Sequence, residues 1–142
     1  FQDKFPSGRA KLVPAESTDA AELPSDDFPL ILNTGRVLEH WHTGVMTRRS
    51  EALNALSPEA FVEMNPEDAE RWKLTAGEMM RVTSRRGEIV LKLTVADATP
   101  PGAIFIPMHF REAAANTLTN PAIDPVGKIP EFKFCAVRVE KA

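Results

Sequence analysis

Short strand-like segments make up most of the chain from residue 28 onwards, and they limit the folds that it can adopt. Alternating apolar and polar residues predict strands at 79–84 and 89–95, joined by a hairpin turn. Shorter apolar runs predict further strands at 28–34, 61–64, 103–106 and 134–139. The regular strand–helix–strand spacing of a parallel α/β sheet is absent. The pattern therefore favours a mainly β protein, a compact barrel with a capping helix.

One segment carries the signals of a helix start. Asn65 is a favourable N-cap, Pro66 suits the first helical position, and two acidic residues follow in the first turn. We expect this helix to run to about Lys73 and to stop before Gly77. The segment 49–57 is predicted to be a short helix or a loop.

The first part of the chain lacks the strand pattern of the remainder. Residues 1–27 are predicted to be an irregular lead-in from a preceding domain, and residues 28–142 to be the barrel domain. Within the lead-in we expect a turn at 5–9 and a short strand at 10–13. Because the chain begins with Phe1 rather than Met, we expect it to be a piece of a longer protein.

Composition argues against several functions for the domain itself. A net charge of −3 does not suggest a general affinity for nucleic acid or for anionic membranes. No apolar run reaches about 18 residues, so no transmembrane helix is predicted. A single cysteine excludes an internal disulfide and any cysteine-based metal site contained in this chain.

The segment 34–49, which directly follows the first predicted strand, carries the strongest functional signal. Its glycines allow the backbone to approach a ligand closely and to adopt positive φ angles. Arginine presents a rigid fork that matches phosphate oxygens, while hydroxyl and backbone N–H groups complete an anion cradle. Singly these residues are often structural, but together they favour ligand binding. The candidates are Thr34, Gly35, Arg36, His40, His42, Thr43, Thr47, Arg48 and Arg49.

Polar residues after the strand at 103–106 form a second candidate cluster. Asparagine offers a donor and an acceptor together, and an aspartate carboxylate can accept two N–H donors from a guanine edge. Recognition of a base or ring is one interpretation, and ordinary turn chemistry is the other. Lys133 is either a contact to an anionic or carbonyl group or an exposed lysine between core aromatic residues. The cluster comprises His109, Asn116, Thr119, Asn120 and Asp124.

Neither a metal site nor a catalytic set is predicted. His40 and His42 could share a metal in principle, but no third ligand lies nearby in the sequence. Cys135 lies in an apolar strand, so we expect a buried free thiol. We find no nucleophile with an adjacent base and no carboxylate pair suited to acid–base work.

Several motifs together resemble the C-terminal cofactor-binding domain of the molybdopterin oxidoreductases. The longest is LNTGRVLEHWHTGVMTRR at 32–49, and it is most similar to the formate dehydrogenase alpha (catalytic) subunit. Periplasmic and assimilatory nitrate reductases are close behind. The other motifs are NPEDA at 65–69, VTSRRG at 82–87 and EFKFCAVRV at 131–139.

The resemblance implies a double-psi β-barrel of the aspartate-decarboxylase-like kind, placed last in a larger enzyme. It also implies binding of bis(molybdopterin guanine dinucleotide), which holds molybdenum or tungsten. In this family the domain helps to enclose the cofactor and contacts its pyrophosphate, guanine and pterin parts. The implied contacts are Thr34, Gly35, Arg36, His40, His42, Thr43, Thr47, Asn116, Thr119, Asn120 and Lys133.

The same resemblance implies that the catalytic groups lie outside this piece. The metal-ligating cysteine or selenocysteine and the iron–sulfur cysteines belong to earlier domains, so we expect the piece alone to be inactive. The parent would oxidise formate to carbon dioxide. Its partners would be the remaining domains and iron–sulfur or NAD-linked electron-transfer subunits. We expect a cytoplasmic parent, with a periplasmic location as the alternative.

Three other interpretations stay open at this point. The same domain of a nitrate reductase would carry similar motifs, because substrate choice lies in the missing domains. A free-standing barrel that binds a nucleotide or serves as an interaction module is a second alternative. A small decarboxylase with this architecture is a third, but such enzymes need a self-processing Gly-Ser site, which is absent here.

Overall fold

Six strands close into a barrel in the computed structural model, which describes residues 5–142. The six strands predicted from residue 28 onwards are confirmed, with bounds that shift by at most two residues. Two short α-helices and three 3₁₀ turns accompany them over the same residues. The strands are β1 (Leu30–Gly35), β2 (Phe61–Met64), β3 (Met79–Thr83), β4 (Glu88–Val95), β5 (Ala103–Pro107) and β6 (Cys135–Lys141). The helices are α1 (Glu51–Leu56) and α2 (Pro66–Arg71), and the 3₁₀ turns are Thr47–Arg49, Arg111–Ala113 and Ala115–Thr117.

The strand order around the barrel is β1-β5-β2-β4-β3-β6. The β1–β5 and β2–β4 pairs are parallel, and the remaining neighbours are antiparallel. Exchanging β1 with β4, β2 with β5 and β3 with β6 reproduces the same order, so the two halves of the chain interlock with twofold symmetry. This is the double-psi β-barrel, and the fold prediction is confirmed.

Strand alternation fills the barrel with apolar side chains. On β1 the even-numbered residues are buried, whereas Ile31 and Asn33 face outward. The opposite strands contribute in the same way, so the interior is continuous. Its fully buried members include Leu30, Leu32, Val62, Met64, Met80, Val82, Leu91, Ile104 and Ile106.

The predicted capping helix is confirmed, but it is shorter than expected. The Asn65 side chain accepts a hydrogen bond from the Glu67 N–H at 2.9 Å and donates to the Thr99 carbonyl at 2.8 Å. Helix α2 ends at Arg71 rather than Lys73, because Lys73 adopts a left-handed φ of 56°. That reversal lets Leu74 pack against the core.

The lead-in has one predicted turn and lacks the predicted strand. Gly8 closes the turn at 5–9, donating its N–H to the Phe5 carbonyl at 2.8 Å. The strand expected at 10–13 is wrong: these residues have no strand structure, and Leu12 is 91% exposed. A closed barrel offers no free edge with which a further strand could pair. Residues 1–4 of the predicted lead-in lie outside the described residues.

Over residues 5–142, we find no helix with the length and apolar character needed to cross a membrane.

Replacing Asn65 with alanine should lower the free energy of unfolding by about 2 kcal/mol, since it removes the cap and leaves the Thr99 carbonyl without its donor. Urea denaturation of the chain measures the change. The matched control is Glu70→Ala on the exposed face of α2, for which we expect less than about 0.5 kcal/mol. Equal effects of the two substitutions would contradict the assigned role of Asn65.

Candidate functional site

Parallel pairing of β1 and β5 brings the two predicted clusters to one edge of the barrel. Gly35, the last residue of β1, lies opposite Pro107, the last residue of β5. The Met108 N–H then donates to the Gly35 carbonyl at 3.0 Å. The loops 36–60 and 108–134 therefore leave the barrel side by side, and each carries one of the predicted clusters.

His109 fastens the first loop to the second. Its ring is buried, and Nε2 accepts a hydrogen bond from the Val37 N–H at 3.1 Å. Its Nδ1 contacts the His42 carbonyl. Because a backbone N–H can only donate and a carbonyl can only accept, the ring is neutral with its hydrogen on Nδ1. The sequence groups His109 with the second cluster, but both of its nitrogens contact the first loop.

His40 and Thr47 stabilise the bend within the first loop. His40 is buried, and its Nε2 donates to the Ser57 carbonyl at 2.7 Å. Its Nδ1 lies 3.2 Å from the Thr47 hydroxyl, which also accepts from the Trp41 N–H at 3.1 Å. The His40 ring lies 5.6 Å from the His109 ring, centre to centre. These two predicted residues therefore shape the bend through contacts within the chain.

Arg48 joins the same two loops from the other side. Its guanidinium forms a two-point ion pair with the Glu112 carboxylate at 2.7 and 2.9 Å. The hydrogen bond from Arg48 lowers the pKa of the Glu112 carboxyl to about 2. Gly44 has a positive φ of 73°, and a Cβ there would lie 3.0 Å from the Arg48 side chain. The positive φ favours glycine at this point.

A cleft of about 760 Å³ runs over the outer face of β1, β5 and β2. Arg36 and Lys133 line it, and both side chains are exposed. Among residues 5–142, neither cation has a carboxylate within salt-bridge distance. The guanidinium carbon of Arg36 lies 5.5 Å from the centre of the Trp41 ring. Glu39 and Glu63 also border the cleft. We call it the Arg36–Lys133 cleft; its other principal residues are Asn33, Phe61, Phe105 and Phe134.

A second, smaller groove of about 350 Å³ lies beyond the segment 131–134. Asn116 is exposed there, and the Thr119 hydroxyl donates to its carbonyl at 3.2 Å. Asn120 is buried and donates its amide to the Phe134 carbonyl at 2.7 Å. The Thr34 hydroxyl donates to the Phe132 carbonyl at 2.7 Å, which fixes the wall between the two spaces. This Asn116–Phe132 groove is lined by Met108, Asn116, Thr119, Asn120, Pro130 and Phe132.

The structure divides the predicted contact residues into two groups. One group has exposed side chains at the edge: Arg36, His42, Thr43, Asn116 and Lys133. The polar side chains of the other group are engaged within the chain: Thr34, His40, Thr47 and Asn120. Thr119 lies between the two groups, because it is half-buried and its hydroxyl donates to the Asn116 carbonyl. Gly35 contributes backbone only, and a Cβ there would lie 2.6 Å from the Phe105 ring. The role of each in cofactor contact stays a prediction.

Sequence reasoning missed the aromatic wall of the cleft and the holding role of His109. Phe61 and Phe105 occupy outward positions of their strands, with ring centres 6.3 Å apart. Outward aromatic residues in alternating strands were the available signal.

Within the described part of the chain no group of three or more metal-ligating side chains comes together. Cys135 is buried as predicted, and burial raises the pKa of its thiol to about 11.

Comparison with known proteins gives one family. Residues 30–136 match the family described as "Molydopterin dinucleotide binding domain". The chain is 47% identical over 142 residues to the F420-dependent formate dehydrogenase subunit alpha of Methanocaldococcus jannaschii, covering 99% of this chain and 21% of that protein. It is 42% identical over 141 residues to a nitrate reductase of Symbiobacterium thermophilum, covering 96% of this chain and 19% of that protein.

A solved structure shows the same fold. Acetylene hydratase from Pelobacter acetylenicus aligns with a TM-score of 0.76 and 19% identity, over 88% of this chain and 21% of that one. The chain thus spans about a fifth of the length of the curated relatives that it matches.

The His109 contacts predict a pH dependence of stability. Burial lowers the pKa of His109 below its ordinary value of 6.5; the bond to the His42 carbonyl opposes this shift, and the charges of His40, Arg36 and Arg48 favour it. As the pH falls, His109 is protonated at a higher pH in the unfolded chain than in the folded one. The stabilisation that neutral His109 gives to the fold is therefore present above pH 6.5 and is lost as pH falls through the folded-state pKa.

Urea denaturation of the wild-type chain and of His109→Gln over about pH 8 to 5 tests this prediction. The free energy of unfolding of the wild type should exceed that of the variant at high pH, and this difference should shrink as the pH falls. A stability difference that stays constant over the whole range would contradict the neutral, Nδ1-protonated assignment of His109.

Proposed function

Because the chain belongs to the family of molybdopterin dinucleotide-binding domains, we propose that it is the C-terminal cofactor-binding domain of a formate dehydrogenase alpha subunit. The parent enzyme oxidises formate to carbon dioxide, and this domain holds its cofactor. The similarity to a formate dehydrogenase alpha subunit over 99% of the chain supports the choice of parent.

One observation carries the proposal for the site: Arg36 and Lys133 line one cleft without carboxylate partners among the described residues. By contrast, Arg48 is paired with Glu112 and Arg86 with Glu22. Two unpaired cations in one cleft repel each other unless an anion joins them. The diphosphate of a dinucleotide supplies that charge and offers oxygens that suit both side chains.

The residues present fit a molybdopterin dinucleotide. Arg36 and Lys133 would hold its diphosphate, and Asn116 with Thr119 would hydrogen-bond a ring in the Asn116–Phe132 groove. His42 and Thr43 offer further polar groups at the exposed bend. We propose the bis(molybdopterin guanine dinucleotide) form with molybdenum or tungsten, which supplies two-electron chemistry at its metal when bound.

The residues engaged within the chain have a different part in this function. Thr34, His40, Thr47 and Asn120 hold the two loops in shape before the cofactor arrives. Pre-formed loops lose less conformational freedom on binding, which favours retention. In this proposal no residue of the domain is catalytic, and the isolated piece is inactive.

The rest of the parent lies outside this chain. We propose that the remaining domains of the subunit supply the other half of the cofactor site and the metal ligand. Iron–sulfur clusters there pass electrons to iron–sulfur or NAD-linked subunits, and the parent is cytoplasmic.

A nitrate reductase is the second candidate, because one relative of that name is 42% identical to this chain. The purified parent enzyme should reduce a viologen dye when formate is added and should not oxidise reduced viologen with nitrate. The opposite pair of results would assign the domain to a nitrate reductase and contradict the formate proposal.

Replacing Arg36 with alanine in the full-length parent should speed cofactor release about tenfold or more, because a charge-assisted contact to the diphosphate is lost. Metal content and fluorescence of the oxidised pterin, followed over time after gel filtration, measure the release. Thermal unfolding should change little, since Arg36 is exposed.

Arg71→Ala is the matched control. Arg71 is also exposed, and it lies on α2 at the far end of the barrel. Its guanidinium carbon lies 5.8 Å from the centre of the Trp72 ring, and within residues 5–142 it forms no ion pair. Its release rate should equal that of the wild type. Wild-type release from the Arg36→Ala enzyme would contradict the assignment of Arg36 to the cofactor.

A further inference from the structure

Three groups of the barrel bind the carboxylate of Glu22, a residue of the lead-in. Arg86 binds both of its oxygens, the Ala136 N–H donates at 2.7 Å, and Arg85 lies 3.5 Å away. Burial raises the pKa of this carboxyl, but the hydrogen bonds from Arg86 and Ala136 and the charges of the two arginines lower it below its ordinary value overall. Glu22 is therefore ionised and anchored.

The same Arg86 guanidinium supports the loop that carries the second cluster. Its Nε and one Nη donate to the Leu118 carbonyl at 3.1 and 2.7 Å. Leu118 is fully buried and lies between Asn116 and Thr119. One planar fork thus connects a lead-in carboxylate to the backbone of the Asn116–Phe132 groove.

The turn that carries Arg86 also touches this loop directly. Ser84 and Gly87 close the turn with a backbone hydrogen bond of 2.9 Å, and the Arg86 N–H donates to the Ser84 hydroxyl at 3.1 Å. A Cβ at Gly87 would lie 2.7 Å from Cγ2 of Thr117. The absence of a side chain at Gly87 therefore sets how closely the loop approaches the turn.

We propose that the Ser84–Gly87 turn is a positioning element for the cofactor, held by Glu22 and acting through Arg86 on the Asn116–Thr119 segment. The inference rests on the proposed function, since it assigns a support to the same groove. It gives the lead-in a role beyond connection: the chain entering the barrel fixes the loop that contacts the cofactor ring.

Arginine is required here for its shape as well as its charge. A lysine at 86 keeps a positive charge beside Glu22, but it lacks the fork that reaches a carboxylate and a carbonyl together. The chain offers a matched control in Arg85, which also contacts Glu22 but donates to Ser25 and stacks on Phe28. Both arginines contact Glu22, but Arg86 also donates to the Leu118 carbonyl, whereas Arg85 contacts Ser25 and Phe28 instead.

The test uses the full-length, cofactor-loaded parent with Arg86→Lys and Arg85→Lys, and it follows pterin release and hydrogen exchange. Arg86→Lys should speed release about tenfold and raise exchange in peptides covering 115–120, with β2 and β5 unchanged. Arg85→Lys should leave both at wild-type values. Wild-type release from Arg86→Lys, or faster exchange throughout the barrel, would overturn the proposal.

A second pair of variants keeps the proposal testable if Arg86→Lys does not fold. Gly87→Ala should speed release, because the added methyl displaces Thr117. Combining it with Thr117→Ser, which removes the opposing Cγ2, should restore slow release. Failure of this rescue would overturn the positioning role. A wild-type parent without pterin dinucleotide would overturn the proposed function itself, and the positioning proposal with it.

Discussion

The parallel pairing of β1 with β5 is the constraint on which the site depends. It places the ends of two strands that are distant in sequence at one edge, with Gly35 opposite Pro107. The two loops that follow then share their anchoring residues: His109 from the second loop holds the backbone of the first, and Arg48 from the first holds Glu112 of the second. Without this pairing, the two predicted clusters would not lie side by side.

At this edge of the barrel, some polar side chains hold the two loops in place, whereas others have no charged partner among the described residues. Buried polar groups such as His40 and Asn120 satisfy their hydrogen bonds within the chain, as buried groups must. Arg36 and Lys133 remain exposed in the cleft with no carboxylate beside them among residues 5–142. This arrangement suits the proposed binding of an anionic dinucleotide, because such a ligand would meet fixed loops and uncompensated positive charge.

Local chemistry predicted much of the fold and part of the site. Strand alternation located the six strands, and the cap at Asn65 located α2. The strand expected at 10–13 was wrong because an apolar run alone does not reveal whether a pairing edge is free. The holding roles of His109 and Arg86 could not be predicted, since each depends on residues that only the barrel topology brings near.

The most direct test is a structure of the full-length parent with its cofactor bound. We expect diphosphate oxygens within hydrogen-bond distance of Arg36 and Lys133, and a ring of the cofactor in the Asn116–Phe132 groove. A cofactor bound instead against α2, with both cations in bulk solvent, would contradict it.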